Sequence, residues 1–225
     1  MTEINFLLCR GSPRSNIHDV EFFNKLLPCD RLMVRYIPEY QAYKIMRNYF
    51  LSHPEYTHMV LATDDIVVIP EHVIQLKKDL QTHDYPVLSG MMNVNQGDKI
   101  NVNLSMRIAA KERSFRTYYW INRNDLPVQS IFQVEFSGFP LMAIRRDIVE
   151  RFEFDADKIL MGGKAENGAS LDLVFCWKCK EVGIPIFADQ RIDMRHLRKE
   201  GKFQIGILPE KVELMTCDYI TEISF

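Results

Sequence analysis

The sequence predicts a single α/β domain with a mostly parallel central sheet flanked by helices, and an antiparallel hairpin inserted into it. Short apolar segments alternate with helical patterns through the first 92 residues, which is typical of βαβ units. Between residues 97 and 133 a period of two replaces the helical period. The chain has 225 residues, of which 47% are hydrophobic, so one large core is expected and a second full domain is not.

Four apolar segments supply the predicted parallel strands of the first half. They span residues 4–10, 31–37, 58–64 and 86–92. Amphipathic helices are predicted between them, over residues 39–53 and from residue 70 through residue 80. Each helix has an apolar face that can cover the sheet.

The insertion is predicted to be an antiparallel hairpin with one solvent-exposed face. Apolar residues alternate with polar residues over 100–108, and the same alternation returns over 114–122 after a turn-like segment. Arg116, Tyr118 and Trp120 share one face of the second strand, where a cation and aromatic rings suit stacking on a sugar or a base. Cross-strand packing is the alternative explanation for each of them.

The second half combines a glycine turn, a glycine-rich loop and a helix with an acid at its start. Gly138 would let the backbone approach a ligand closely, or it marks a bend only. Asp172 lies in the first turn of a helix, where the helix dipole favours a carboxylate and the side chain can point into a site. The following segment predicts a strand, a turn and a second strand that ends near His196.

Two adjacent carboxylates, Asp64 and Asp65, end the apolar strand of residues 58–64 and precede the helix that begins at Pro70. Open α/β sheets bind ligands at the carboxyl ends of their strands. Mg²⁺ or Mn²⁺ is commonly held there by one or two carboxylates together with phosphate oxygens of the substrate. The pair therefore predicts a metal site for a phosphorylated donor, and helix capping is the alternative.

Charge and cysteine content exclude several classes of protein. With 28 basic and 30 acidic residues, the chain offers no general electrostatic attraction for nucleic acid or a membrane surface. Neither a signal-peptide pattern nor an apolar stretch of membrane-spanning length is found, so we expect a cytoplasmic protein without a transmembrane segment. An odd number of scattered cysteines favours reduced thiols, and Cys176 and Cys179 are interpreted as helix core residues rather than zinc ligands.

The order of these pieces resembles a glycosyltransferase of the GT-A fold, a compact family-2-like member of the nucleotide-diphospho-sugar transferase superfamily, over residues 4–197. The motifs that carry the resemblance are TDD at 63–65, SG at 89–90, SGF at 137–139, RRDIVERF at 145–152, LD at 171–172 and RHL at 195–197. The resemblance implies a nucleotide-diphosphate sugar held by Mn²⁺ or Mg²⁺ at the TDD segment. Thr63 and Leu171 depart from the pattern, because family members carry acids there.

The resemblance also implies roles for individual residues. A direct metal ligand is expected at Asp65 and a late histidine completes that shell, while an aspartate at the LD position acts as base in inverting members. The predicted site therefore comprises Asp172 as catalytic residue, Asp65 and His196 at the metal, Arg47, Asp64 and Gly138 at the donor, and Trp120 at the acceptor.

The predicted activity is transfer of a sugar to a hydroxyl of an unknown glycan, protein or small-molecule acceptor, without nucleic acid. A magnesium-dependent nucleotidyltransferase is one alternative, and a non-catalytic protein that binds carbohydrate or nucleotide sugar on the same scaffold is another. The predicted transferase domain covers residues 1–197, with the hairpin insertion at about 97–133. Residues 198–225 are predicted to form an extension that packs on the domain.

Overall fold

The computed structural model of the chain describes residues 3–12, 27–35, 39–64, 66–96, 99–108, 120–154, 171–196, 211–216 and 220–224. The strands are β1 (Phe6–Ser12), β2 (Asp30–Arg35), β3 (His58–Leu61), β4 (Ile66–Val67), β5 (Val87–Gln96), β6 (Lys99–Val102), β7 (Leu104–Ser105), β8 (Ile131–Val134), β9 (Phe136–Ser137), β10 (Met142–Arg145), β11 (Ile186–His196), β12 (Lys211–Thr216) and β13 (Ile220–Ser224). The helices are α1 (Glu39–Ser52), α2 (Pro70–Thr82), α3 (Arg146–Arg151) and α4 (Leu171–Glu181).

Most of these strands form one mixed sheet. Its main path runs β13-β12-β2-β1-β3-β10-β5-β11-β4. β1 is parallel to β2 and β3, and β5 is parallel to β11. β10 runs antiparallel to both β3 and β5, which are therefore parallel to each other. The predicted fold class, a mostly parallel central sheet flanked by helices, is confirmed.

The strand directions bring several chain ends to one side of the sheet. β1, β3, β5 and β11 all end at this side, and the antiparallel β10 begins there. We call this side the carboxyl edge. In sheets of this class the ligand crevice lies outside the carboxyl ends of the strands.

Helices cover both faces of the sheet because successive strand side chains point to opposite faces. On one face, α1 and α4 bury apolar side chains such as Tyr43, Phe50 and Phe175 in a single cluster. On the other face, α2 buries Val73 and Leu76 in a second cluster. The observed bounds of α1 and α2 lie within two residues of the predicted ones.

The insertion differs in detail from the predicted hairpin. β6 pairs antiparallel with the preceding β5, and β7 pairs with β9. Of the predicted second strand, residues 114–122, the part from 114 to 119 lies outside the described residues, although an antiparallel bridge joins Asn101 and Asn122. The predicted exposed polar face was wrong, because Asn101, Asn103 and Ser105 are buried while Ile100 is exposed. On this face the Met92 amide of β5 donates to the Asn103 side chain, and the Ser105 hydroxyl donates to the carbonyl of Arg107.

The end of the chain departs from expectation in one further respect. The predicted strand, turn and strand over 184–197 form one strand, β11, with a register shift between Ala188 and Asp193. The predicted extension contributes β12 and β13, and β12 pairs antiparallel with β2. Across the described ranges, we find no helix with the length and apolar character needed to span a membrane.

Candidate functional site

The segment that follows β3 carries the first of the predicted acids at the carboxyl edge. The amide of Ala62 donates to the Cys9 carbonyl, and the amide of Thr63 donates to the Phe139 carbonyl, both at 3.0 Å. Asp64 follows directly and is only 9% exposed. Asp65 lies outside the described residues. We call residues 62–64 the acidic segment. Backbone hydrogen bonds hold it on two sides, to β1 and to the turn that precedes β10.

That turn, residues 138–141, brings the predicted glycine to the same edge. Leu141 accepts a hydrogen bond from the Gly90 amide at 3.0 Å, and Gly138 donates its own amide to the Asn103 carbonyl at 3.1 Å. The turn thus bridges the acidic segment, β5 and the insertion. Because β10 is antiparallel, its entry turn lies where β3 and β5 end.

Asp172 meets this turn from the start of α4. A Cβ placed on Gly138 would lie 3.3 Å from Oδ2 of Asp172 and 3.0 Å from Nδ2 of Asn103. The other carboxylate oxygen, Oδ1, accepts a hydrogen bond from the Leu173 amide at 2.7 Å. The absence of a side chain at Gly138 therefore lets an amide and a carboxylate approach the same point of the backbone. Contacts this short explain why glycine suits the position.

A buried polar connection anchors α4 behind the turn. The Cys176 thiol donates to the Ser137 carbonyl at 3.4 Å, and the Ser137 hydroxyl lies 2.8 Å from the Ser89 hydroxyl. Burial raises the pKa of the Cys176 thiol well above its usual value and raises the pKa of Cys179 to about 12. Both cysteines are buried and free, in agreement with the interpretation as core residues.

The backbone of His196 lies beside the acidic segment. β11 pairs antiparallel with β4, so that His196 is opposite Ile66. Ile66 is the residue that follows Asp65 in the chain. The side chain of His196 lies outside the described set, and only its backbone position opposite Ile66 is given by the structure.

Two arginines that the sequence analysis did not select lie at this edge. Arg10, near the end of β1, is 1% exposed and its Nη2 donates to the Ile66 carbonyl at 2.9 Å. Arg123 donates to Asn93 at 2.5 Å and forms a two-pronged ion pair with Asp193. The hydrogen bond to Asp193 raises the pKa of Arg123. Arg10 could have been selected from the sequence, because it ends the apolar segment of residues 4–10.

The remaining two predicted residues occupy other surroundings. Arg47 on α1 donates to the carbonyls of Val149 at 3.0 Å and Glu150 at 3.1 Å. α3 follows the end of β10, which lies at the edge opposite the acids, so the structure does not bring Arg47 to Asp64. Trp120 is half-buried on the insertion, and its ring packs edge-on against Phe136 with centroids 5.5 Å apart.

Among the described residues, Asp64 supplies one carboxylate at the carboxyl edge, and carboxylates are the ligands that Mg²⁺ and Mn²⁺ prefer. The pairing of β4 with β11 brings the backbone of His196 opposite Ile66, two positions after Asp64. Among the side chains that the structure describes, no group of three or more His, Cys, Asp or Glu residues could hold a metal. That set does not include Asp65 or His196.

Comparison with solved structures shows the same fold in A197 from STIV, with 14% sequence identity and a TM-score of 0.57 over 98% of this chain and 94% of that chain. CMP:2-keto-3-deoxy-manno-octonic acid synthetase complexed with CTP is similar over 86% of this chain and 90% of its own, with 10% identity and a TM-score of 0.44. Inositol-1-phosphate CTP transferase from T. maritima is similar over 87% and 71%, with 11% identity and a TM-score of 0.41. No protein-family model and no curated protein matches the sequence.

Proposed function

We propose that the chain is a glycosyltransferase that moves a sugar from a nucleotide-diphosphate sugar to an acceptor hydroxyl. One observation carries the proposal: the acidic segment at Asp64, the turn at Gly138 and the carboxylate of Asp172 meet at the carboxyl edge. Glycosyl transfer needs a place for a charged leaving group and a base for the incoming hydroxyl. The acidic segment and Asp172 supply these from two sides of the same turn.

The donor would bind on the side of the acidic segment. Asp65 and His196 would hold Mn²⁺ or Mg²⁺, with Asp64 next to them. Such a cation, when bound, neutralises negative charge that develops on the leaving nucleoside diphosphate. Arg10 acts as a positioning residue, since its hydrogen bond to the Ile66 carbonyl fixes the backbone immediately after Asp65.

The acceptor would bind on the side of Asp172. Oδ1 of this carboxylate is engaged by the Leu173 amide, so Oδ2 is the oxygen directed toward Gly138. As the acceptor oxygen bonds to the anomeric carbon, the bond from that carbon to the diphosphate breaks and the hydroxyl proton passes to Asp172. A carboxylate within hydrogen-bond reach of the hydroxyl can perform this general-base step. Trp120 on the neighbouring insertion is proposed as an acceptor contact.

The proposal is tested by incubating the protein with a panel of UDP-sugars and GDP-sugars, with Mn²⁺ or with EDTA. Release of UDP or GDP that depends on Mn²⁺ is expected. Release of pyrophosphate from a nucleoside triphosphate and a sugar phosphate would contradict glycosyl transfer and would indicate a nucleotidyltransferase. Binding of a nucleotide sugar without any turnover would indicate a non-catalytic binding protein. As a matched control, Asp84→Ala removes an exposed carboxylate that pairs with Arg145 at the opposite edge.

A further inference from the structure

Asn103 is held in one orientation by three hydrogen bonds. Its backbone amide donates to the Met92 carbonyl at 3.0 Å, and its carbonyl accepts from Gly138 at 3.1 Å. Its side-chain Oδ1 accepts a hydrogen bond from the Met92 amide at 2.6 Å. Because Oδ1 is committed to β5, the Nδ2 group has to point away from Met92. The orientation of the side-chain amide is therefore fixed by the fold.

The Nδ2 group of Asn103 has no hydrogen-bond partner within the part of the chain that the structure describes. Asn103 is only 1% exposed, so bulk water does not supply the hydrogen bond that the Nδ2 group lacks. A buried donor without a partner costs stability, and native proteins retain few of them. Such a group, placed at a candidate site, indicates that a ligand supplies the missing acceptor.

The surroundings of Nδ2 indicate what that ligand group is. Nδ2 lies 3.0 Å, and Oδ2 of Asp172 lies 3.3 Å, from the position that a Cβ on Gly138 would take. The two groups therefore approach the same side of Gly138. A ligand group that contacts both, farther from the backbone than this point, must accept a hydrogen bond from an amide and donate one to a carboxylate. A hydroxyl does both, whereas an ammonium group has no lone pair with which to accept.

We propose that Asn103 binds the nucleophilic hydroxyl of the acceptor and restricts the acceptor to alcohols. This inference rests on the proposed glycosyl transfer. Nδ2 donates to one lone pair of the acceptor oxygen, and the second lone pair attacks the anomeric carbon. The hydroxyl proton passes to Asp172, and the bond to the nucleoside diphosphate breaks. Fixing the oxygen by a rigid donor places it in the geometry for attack.

Asn103→Asp is the variant that tests this role. The aspartate keeps an oxygen for the Met92 amide and nearly the same shape, but it replaces the donor beside Asp172 with an acceptor. We expect the KM for an alcohol acceptor to rise about tenfold or more, the loss expected when a donor in contact with substrate is removed. The KM for the nucleotide sugar should stay within about twofold, because the donor is proposed to bind on the side of the acidic segment and not at Asn103.

Ser89→Ala is the matched control, because it removes a buried hydroxyl that is already engaged by the Ser137 hydroxyl. It should change stability without changing the acceptor KM. If Asn103→Asp does not fold, Asn103→Ala provides a second test, because it removes the Nδ2 donor without adding a buried charge. That variant should show the same selective rise in the KM for the acceptor while retaining binding of the nucleotide sugar.

The outcomes separate this inference from the proposed function. An active wild-type enzyme whose acceptor KM is unchanged in Asn103→Asp or Asn103→Ala would overturn the role of Asn103 alone. A wild-type protein that neither hydrolyses nor transfers from any nucleotide sugar would overturn the glycosyltransferase proposal, and the role of Asn103 with it. A selective rise in acceptor KM would support both.

Discussion

The amide of Thr63 donates to the carbonyl of Phe139 at 3.0 Å, and this hydrogen bond joins the acidic segment to the turn that carries Gly138. The contact exists because β10 runs antiparallel between β3 and β5. A parallel strand at the same place would be entered from the opposite edge, and its entry turn would lie far from the acids. The direction of one short strand therefore decides which residues form the candidate site.

Replacement of Asp65 tests the metal side of the site. Asp65→Ala should abolish metal-dependent binding of the donor and leave the fold intact, because it empties a cation site rather than a core position. Calorimetric titration of a nucleoside diphosphate with Mn²⁺ measures the loss. Unchanged affinity would remove Asp65 from the metal shell, and a collapsed thermal transition would indicate a structural role instead.

Gly90 is required for the close approach of β5 and β11. A Cβ at this position would lie 2.7 Å from Cγ2 of Ile192 and 2.8 Å from its backbone oxygen. Backbone atoms cannot move aside as a side-chain end can, so Gly90→Ala should lower the free energy of unfolding by about 1–3 kcal/mol. Urea denaturation measures the change. Gly138→Ala is the comparison, because the contacts there are with side-chain atoms and the loss should be smaller.

His58 should make stability depend on pH. Burial, followed by the positive charge of Arg145, lowers the pKa of His58 to about 4, although Asp84 and Asp147 oppose the shift. The unfolded chain therefore binds a proton more readily than the folded chain. Neutral His58 therefore contributes to the free energy of unfolding. This contribution is fully present above the ordinary histidine pKa of about 6.5 and is lost as the pH falls toward 4.

Between about pH 6.5 and pH 4, the free energy of unfolding should fall by about 1.4 kcal/mol for each pH unit because of His58. The total loss over this range should be about 3 kcal/mol. Free energies of unfolding measured from pH 7 to pH 4 for the wild type and for His58→Gln test the assignment. The variant should show a shallower slope. Identical slopes in the two proteins would mean that other groups account for the acid sensitivity.

Arg47 provides a test between a structural role and a nucleotide contact. Its guanidinium donates to two carbonyls near the end of α3, so Arg47→Ala should lower the free energy of unfolding by about 1–2 kcal/mol. Binding of the nucleotide sugar should stay within a few fold. Loss of donor affinity without loss of stability would instead support the nucleotide contact that the family resemblance implies.

Local sequence patterns were sufficient to predict most of the elements and to select three residues that meet at the carboxyl edge. Asp64 could be selected because it ends an apolar strand, Gly138 because it marks a turn, and Asp172 because it begins a helix. Their meeting could not be deduced from these patterns. An apolar run of four residues such as β10 has the same appearance in either strand direction, and only the long-range pairing fixes that direction.

Asn103 was missed for a related reason. Its polar side chain alternates with apolar neighbours, a pattern that is typical of a strand with one face in water. In the folded chain the polar face is covered by β5 and by the turn at Gly138, so the same residue becomes a buried donor. Arg123 could not be selected either, because its ion-pair partner Asp193 lies 70 positions away in the sequence. Alternation reports the geometry of a strand but not what packs on each face.

The most direct test of the proposed function is the turnover of Asp172→Asn with a nucleotide sugar and an acceptor. Asparagine keeps the shape and can still accept the hydrogen bond of the Leu173 amide, but it does not accept a proton from the acceptor. Turnover should fall by about a hundredfold or more while donor affinity stays within a few fold, as expected for loss of a general base. Turnover close to that of the wild type would contradict the account and would leave Asp172 as an acid that only stabilises the start of α4.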